Sequence, residues 1–133
     1  MNITLEADYA VRIVDCLSAQ PVKIGAGTIA ELTGVTPRFT LKILHKLVSA
    51  GIVRSYKGAK GGYELARPAA EITLRDVIET VEGTYTFSRC LSPDHVCKCD
   101  HAACHRGGCR FQQVYDEISE SVRERLAQVT FER

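Results

Sequence analysis

The sequence from Ile52 to Ala66, IVRSYKGAKGGYELA, predicts a hairpin of two short strands joined by a turn. Its two ends, IVRSY and YELA, are rich in residues that favour strands, whereas the centre KGAKGG has a typical turn composition. Glycines let a backbone approach phosphate groups closely, and lysines neutralise phosphate charge. The stretch therefore predicts a basic hairpin that suits a polyanionic partner.

Two short helices are predicted directly before the hairpin. Thr28 is the candidate N-cap of the first helix, with a glutamate three residues later completing a capping box and Gly34 ending the helix. Thr36 is the candidate N-cap of the second helix, with Pro37 at its first position and Gly51 at its end. The residues assigned to the buried faces are Ile29, Ala30, Leu32, Leu41, Ile43, Leu44, Leu47 and Val48. Two helices followed by a basic hairpin predict a winged helix-turn-helix domain, which binds double-stranded DNA.

Further helices are predicted on both sides of this module. The first spans about residues 4–19, and Cys16 on it is interpreted as a core residue. Its apolar stripe consists of Leu5, Tyr9, Ile13 and Leu17. Thr73 caps another helix that ends at Gly83. The expected fold is mainly α with a small β-hairpin, in which residues 1–83 form the DNA-binding domain.

A long amphipathic helix is predicted for residues 110–133. Its apolar stripe consists of Phe111, Val114, Ile118, Val122, Leu126 and Val129, and its opposite face is charged. Because the preceding module is too small to cover the whole stripe, we expect a dimerisation helix that pairs with the same helix of a second subunit. A homodimer also suits a protein that binds two half-sites on DNA.

Five of the six cysteines lie in the loop formed by residues 84–109. They are Cys90, Cys97, Cys99, Cys104 and Cys109. The loop has no long apolar run that could form a core, so disulfides, a zinc ion or an iron–sulfur cluster are the candidates for ordering it. One residue separates Cys97 from Cys99, whereas common zinc sites have two to four between paired cysteines, which disfavours zinc.

Composition limits the class of protein. The net charge is only +1, but residues 36–67 hold seven Lys or Arg and one acidic residue, which favours a nucleic-acid partner. The N-terminus lacks a signal-peptide core, and no stretch approaches transmembrane length. We therefore expect a cytoplasmic protein with no membrane partner, in which stable disulfides are uncommon. The sequence lacks a glycine-framed nucleophile turn, so an enzyme is not expected.

The chain resembles the Rrf2 family of bacterial winged-helix regulators, which has IscR-like and NsrR-like members, over essentially its whole length. The matching motifs are Leu5–Arg12, Ile29–Glu31, Leu44–Val53, Lys57–Tyr63 and Leu74–Ile78. In the family, as here, the cysteines lie between the last motif and a long terminal helix. The resemblance implies a dimer and a 2Fe–2S or 4Fe–4S cluster held by loop cysteines, whose loss or nitrosylation alters DNA affinity.

The resemblance also suggests which residues bind the cluster. Cys90 matches the first cysteine of the family and Cys109 the last. Three cysteines compete for the middle position: Cys97, Cys99 and Cys104. Asp8 stands where NsrR-like members have an aspartate ligand, although it also suits the N-terminus of a helix as a plain surface charge. Gln112 stands where IscR-like members have a histidine ligand, which disfavours the IscR-like way of binding the cluster.

DNA contacts are implied on the second helix of the module and on the hairpin. Residues near the start of that helix reach base edges or phosphates. Lys57 stands where IscR-like members have an arginine. A contact with the DNA backbone is expected, because lysine is a poorer bidentate hydrogen-bond donor than arginine. The candidate DNA-binding residues are Thr28, Thr36, Arg38, Phe39, Thr40, Lys42, Arg54, Lys57 and Lys60.

Three interpretations of the cysteine loop stay open at the level of sequence. The first is an iron–sulfur sensor of redox state, nitric oxide or iron status. The second is a metal-free thiol switch, in which two cysteines oxidise to a disulfide. The third is a structural zinc site in a DNA-binding protein.

Overall fold

The computed structural model describes residues 2–94 and 109–133 and divides the chain into two compact units. The first unit comprises Met1–Gly83 and Ala127–Arg133, and the second comprises Thr84–Leu126. The elements are α1 (Leu5–Ser18), α2 (Ala26–Thr33), α3 (Pro37–Ser49), β1 (Val53–Tyr56), β2 (Gly62–Leu65), α4 (Leu74–Glu82) and α5 (Arg110–Ala127), with short 3-10 turns at Ala69–Glu71 and Arg89–Leu91. Within the two described ranges, none of the helices combines the length and apolar content needed to span a membrane.

The core of the first unit is formed by its four helices. Ile13 of α1, Ile29 of α2, Leu47 of α3 and Val77 of α4 are fully buried and belong to one apolar cluster. Burial of a side chain of this size stabilises a fold by about 1.5–3 kcal/mol. The structure thus confirms the predicted class, which is mainly α with a small β-hairpin.

The hairpin follows α3 as predicted. Strands β1 and β2 are antiparallel, in the register that places Tyr56 opposite Gly62. The backbone of Ile24, just before α2, pairs with Tyr63 through hydrogen bonds of 3.1 and 2.8 Å. This pairing ties the hairpin to the helix-turn-helix, and together they form a winged helix-turn-helix.

The N-caps of α2 and α3 differ in how well the sequence predicted them. Thr36 is confirmed as the N-cap of α3, because its Oγ1 accepts a hydrogen bond of 3.3 Å from the Phe39 N–H. The predicted capping role of Thr28 is wrong. Helix α2 begins at Ala26, with Gly25 in the N-cap position, so Thr28 lies exposed within the first turn.

Three leucines that the sequence assigned to apolar faces are exposed. Leu5, Leu32 and Leu41 have exposed fractions of 61%, 60% and 52%. An apolar pattern at three- and four-residue spacing marks a broad stripe, and residues at its edge stay in solvent when the neighbouring helices cover only its centre. Leu41 is the most informative of the three, because it lies on the outer face of α3.

The C-terminal residues differ from the prediction of one helix over residues 110–133. Helix α5 ends at Ala127, and the backbone of Thr130 then pairs with Thr73 at the start of α4. Phe131 is only 6% exposed and belongs to the apolar core of the first unit. The residues after α5 therefore complete the winged-helix unit instead of extending the helix.

Thr40 in α3 is fully buried, and its hydroxyl finds no hydrogen-bond partner among the described residues. An unpaired buried hydroxyl costs about 1–3 kcal/mol, so Thr40→Val should raise the free energy of unfolding by about 1 kcal/mol in urea denaturation. Thr33→Val is the control, because the Thr33 hydroxyl donates to the Ile29 carbonyl at 2.7 Å and its loss should bring no gain. An unchanged or lower unfolding free energy for Thr40→Val would contradict the prediction.

Candidate functional site

The outer face of α3 is basic and open to solvent. Arg38 and Lys42 are exposed on it, as are Leu41 and His45, which sequence analysis did not connect with DNA. These positions repeat every three or four residues, and α3 contains no acidic residue. In a DNA major groove, arginine pairs with guanine and apolar side chains contact the thymine methyl group. We call these four residues the recognition face.

Other predicted residues of the helix-turn-helix lie outside this face. Thr28 is exposed on α2, and Thr36 is exposed at the start of α3 with its hydroxyl engaged as the N-cap. Phe39 is 39% exposed, and its ring lies 5.9 Å from the ring of Tyr9. Thr40 is buried and does not reach the surface in this structure, so we remove it from the candidate DNA contacts.

The hairpin, which we call the wing, presents a second basic surface. Arg54, Lys57 and Lys60 are all exposed, as contact with phosphate requires. A side-chain hydrogen bond with Tyr56 raises the pKa of Arg54. Lys23 was missed by sequence analysis, although its Nζ lies 4.4 Å from the centroid of the Tyr56 ring and adds a cation beside β1. No local pattern predicts such a contact, because it forms only when the chain folds.

Gly61 determines the shape of the wing turn. A Cβ atom at this position would clash with the Tyr56 carbonyl oxygen and would lie 2.8 Å from the Gly58 carbonyl oxygen. Gly61→Ala must therefore displace the turn, and it should weaken binding to mixed-sequence double-stranded DNA about tenfold at low salt in fluorescence anisotropy. Gly27→Ala is the control, because a Cβ there meets no atom within 4 Å. Equal affinity of Gly61→Ala and wild type would remove the wing from the DNA contact.

The two described cysteines of the predicted site, Cys90 and Cys109, belong to the second unit. Cys90 lies on the 3-10 turn Arg89–Leu91, and Cys109 directly precedes α5. Both are half-buried thiols, and neither is in a disulfide with another described residue. The other predicted loop ligands, Cys97, Cys99 and Cys104, lie outside the described residues. Within residues 2–94 and 109–133, no group of three His, Cys, Asp or Glu residues could hold a metal ion.

The Gln112 side chain binds the backbone at Cys90. Its Nε2 donates a hydrogen bond of 3.1 Å to the backbone carbonyl of Cys90. Gln112 follows Cys109 by three residues, in the first turn of α5. The bond therefore joins the turn that carries Cys90 to the first turn of α5, which directly follows Cys109.

Helix α5 also holds the segment that leads to Cys90. The buried hydroxyl of Ser119 accepts a hydrogen bond of 2.8 Å from the Phe87 N–H. The Arg123 guanidinium donates to the Tyr85 carbonyl at 2.6 Å. Three side chains of one helix thus bind the backbone of one segment, and we call them the α5 clamp: Gln112, Ser119 and Arg123.

Asp8, the predicted ligand outside the loop, lies on α1 in the first unit. One of its carboxylate oxygens is 2.9 Å from the Arg12 guanidinium, one helical turn away. The Arg12 guanidinium also lies 5.6 Å from the centroid of the Tyr9 ring. This ion pair occupies one carboxylate oxygen of Asp8.

Cys16 lies on α1, outside the cysteine loop, and is half-buried there, so the prediction that it belongs to the core is wrong. Burial raises the pKa of its thiol, and the neighbouring Asp15 carboxylate raises it further, while Arg133 acts in the opposite direction. A raised pKa keeps the thiol protonated at neutral pH and therefore unreactive. Cys16 is thus suited to a structural role.

The apolar stripe of α5 is exposed at the start of the helix. Phe111 and Val114 have exposed fractions of 53% and 48%. In α5, all of which is described, only Ser119 is buried. About half of each of these two side chains is thus left uncovered by the described residues.

Comparison with known proteins agrees with this architecture. The sequence model of the Rrf2 family, described as an iron-dependent transcriptional regulator, matches residues 3–133. The chain belongs to the Rrf2 family. Because the Rrf2 family consists of transcriptional regulators, the match supports the prediction that the chain is not an enzyme.

Individual relatives match different shares of the chain. The chain is 36% identical over 97 residues to protein aau3 of Rhizobium meliloti, covering 72% of this chain and 63% of that protein. It is 27% identical over 135 residues to the HTH-type transcriptional regulator NMA1593 of Neisseria meningitidis, covering 99% of this chain and 86% of that protein. With the HTH-type regulator YwgB of Bacillus subtilis the identity is 38% over 85 residues, covering 62% and 54%. The match thus spans about half to two thirds of the length of several relatives.

Solved structures share the fold of this Rrf2 chain. T. potens IscR gives a TM-score of 0.75 at 23% identity, covering 98% of this chain and 83% of that one. The oxidised form of Staphylococcus aureus CymR gives a TM-score of 0.73 at 26% identity, covering 98% and 93%. CymR of B. subtilis, described as the global cysteine regulator, gives 0.73 at 25% identity with the same coverage.

Proposed function

We propose that the protein is a homodimeric transcriptional regulator that binds double-stranded promoter DNA in the bacterial cytoplasm. The observation that carries the proposal is that α3, within a winged helix-turn-helix, has exposed basic residues and no acidic residue. Arg38 and Lys42 on the recognition face supply contacts to bases or phosphates. Lys57 and Lys60 on the wing supply contacts to phosphates, which position the domain.

We further propose that the Cys90–Cys109 loop senses redox state, nitric oxide or iron status through an iron–sulfur cluster of the 2Fe–2S or 4Fe–4S type. The donors fit, because thiolates are soft ligands suited to iron and because Gln112, three residues after Cys109, binds the Cys90 carbonyl. The candidates for the remaining ligands are Cys97, Cys99 and Cys104 in the loop and Asp8 outside it. When bound, such a cluster supplies a centre that reacts with oxidants and nitric oxide.

The α5 clamp offers a route from Cys90 to the helix that we assign to dimerisation. Gln112 holds the Cys90 carbonyl, so a change in what Cys90 binds alters the first turn of α5. The exposed apolar stripe begins in the same turn, at Phe111. A displacement of α5 at a dimer contact would change the spacing of two recognition faces, and thereby the affinity for two half-sites.

A metal-free thiol switch is the second candidate function. The observation that favours it is the similarity to CymR, whose S. aureus structure is described as an oxidised form. In that case two loop cysteines form a disulfide when the protein is oxidised, and a two-electron oxidant accepts the electrons. A structural zinc site is the third candidate, and metal analysis separates it from the other two.

The test is an absorption spectrum with iron, sulfide and zinc analysis of protein purified without oxygen, repeated after addition of nitric oxide. Brown protein with matching iron and sulfide, bleached by nitric oxide, supports the cluster. Colourless, metal-free protein whose thiol count falls reversibly in air would replace the cluster by the thiol switch. Colourless protein that contains zinc would replace it by the structural site.

A further inference from the structure

Glu6, in the first turn of α1, reaches the recognition helix α3. Its Oε1 lies 2.7 Å from the Lys46 Nζ and 3.8 Å from the Lys42 Nζ. The Glu6 side chain is 22% exposed, whereas the two lysine side chains are 36% and 57% exposed. A single, more buried carboxylate therefore binds one lysine of α3 directly and lies close to a second.

These charges lie on the helix that we expect to approach DNA. Helix α3 carries Arg38, Lys42 and Lys46, and it has no acidic residue of its own. Glu6 is thus a negative charge that another helix adds to this basic surface. A lysine paired with a carboxylate neutralises a phosphate less effectively, because the carboxylate cancels part of the lysine charge and repels the phosphate.

We propose that Glu6 restrains the sequence-independent part of DNA binding by withholding Lys46 from phosphate. Binding then depends more strongly on the base contacts of the recognition face, which raises the preference for specific sites over other DNA. The proposal rests on the DNA-binding function proposed above. An acidic residue in a first helical turn also stabilises its own helix, but that role does not require a lysine 40 positions away.

The test compares wild type with Glu6→Gln on a mixed-sequence double-stranded DNA probe, by fluorescence anisotropy between about 50 and 200 mM salt. Glu6→Gln should bind about three- to tenfold more tightly at low salt. The slope of log affinity against log salt should also steepen by about one unit, because one further lysine contacts phosphate. Circular dichroism spectra confirm that each variant is folded.

Two further variants separate this effect from a general change in net charge. Asp15→Asn removes the same charge from the same helix, but Asp15 pairs with Arg133 at 2.9 Å and not with α3, so the affinity should change less than about twofold. In a Lys46→Gln background, the gain in DNA affinity from Glu6→Gln should fall below about twofold as well. A gain no larger than that of Asp15→Asn, or one that persists without Lys46, overturns the proposal. Wild type that fails to bind DNA at low salt overturns both this proposal and the proposed function.

Discussion

Cys90→Ser should retain less than about a tenth of the iron and sulfide that wild-type protein holds after anaerobic purification. Loss of a side chain that only supports a metal ligand already costs 10–100-fold in affinity, and Cys90 is proposed as a ligand itself. A serine hydroxyl is a harder donor than a thiolate and replaces it poorly on iron. Because Gln112 binds the backbone carbonyl of Cys90, the turn has little freedom to move another ligand atom to the iron. Iron and sulfide assays on the purified variants measure the effect.

Cys16→Ser is the matched control for this experiment, because it makes the same change in the first unit at a thiol whose pKa is raised by burial. It should retain the iron and sulfide of wild type. Cys109→Ser should behave as Cys90→Ser does. If Cys90→Ser and Cys109→Ser both kept the wild-type iron and sulfide content, these residues would not be ligands, and the sensing proposal would need other donors.

Val114→Glu should convert the proposed dimer into monomers. Val114 is 48% exposed on the apolar stripe of α5, beside Phe111 in the preceding turn. At a contact between two copies of this stripe, the substitution places two unpaired carboxylates in an apolar interface. Because such a charge costs about 3–5 kcal/mol, the dimer dissociation constant should rise at least about 100-fold, as measured by analytical ultracentrifugation. Affinity for an operator with two half-sites should fall about 100-fold or more, since each half-site is then bound separately.

Gln113→Glu is the control for Val114→Glu. It adds the same charge one residue earlier, at an exposed position on the opposite side of the helix from the stripe. It should leave both the dimer and its DNA affinity within about twofold of wild type. A dimer that survives Val114→Glu unchanged would show that subunits associate through a different surface, and the stripe would then require another explanation.

Local signals account for the parts of the fold that the sequence predicted well. The Thr36 cap, the proline after it and the glycine-rich turn of the wing each specify backbone geometry within a few residues, and the structure has them where expected. Thr28 shows the limit of such signals, because a capping-box pattern was present but Gly25 took the N-cap position. The pattern identifies a helix start only to within a turn.

Features that depend on distant contacts could not be read from the sequence. Leu41 and Thr40 are neighbours in α3, yet the apolar residue is exposed and the polar one is buried, because the packing of other helices decides which face is covered. Phe131 returns to the core of the first unit, although the periodicity of α5 suggested a longer helix. The Glu6–Lys46 ion pair joins residues 40 positions apart. Cys97, Cys99 and Cys104 remain predictions as cluster ligands.

The measurement that tests the central claim most directly is the DNA affinity of one anaerobic preparation, titrated by fluorescence anisotropy before and after exposure to nitric oxide. The probe is a promoter fragment selected from genomic DNA by binding to the wild-type protein. The account predicts that the dissociation constant changes at least about tenfold, within the usual range of coupling between two sites. It also predicts that Cys90→Ser shows no such change. An equal dissociation constant for wild type before and after exposure would contradict control of DNA binding by a nitric-oxide-reactive cluster on the cysteine loop.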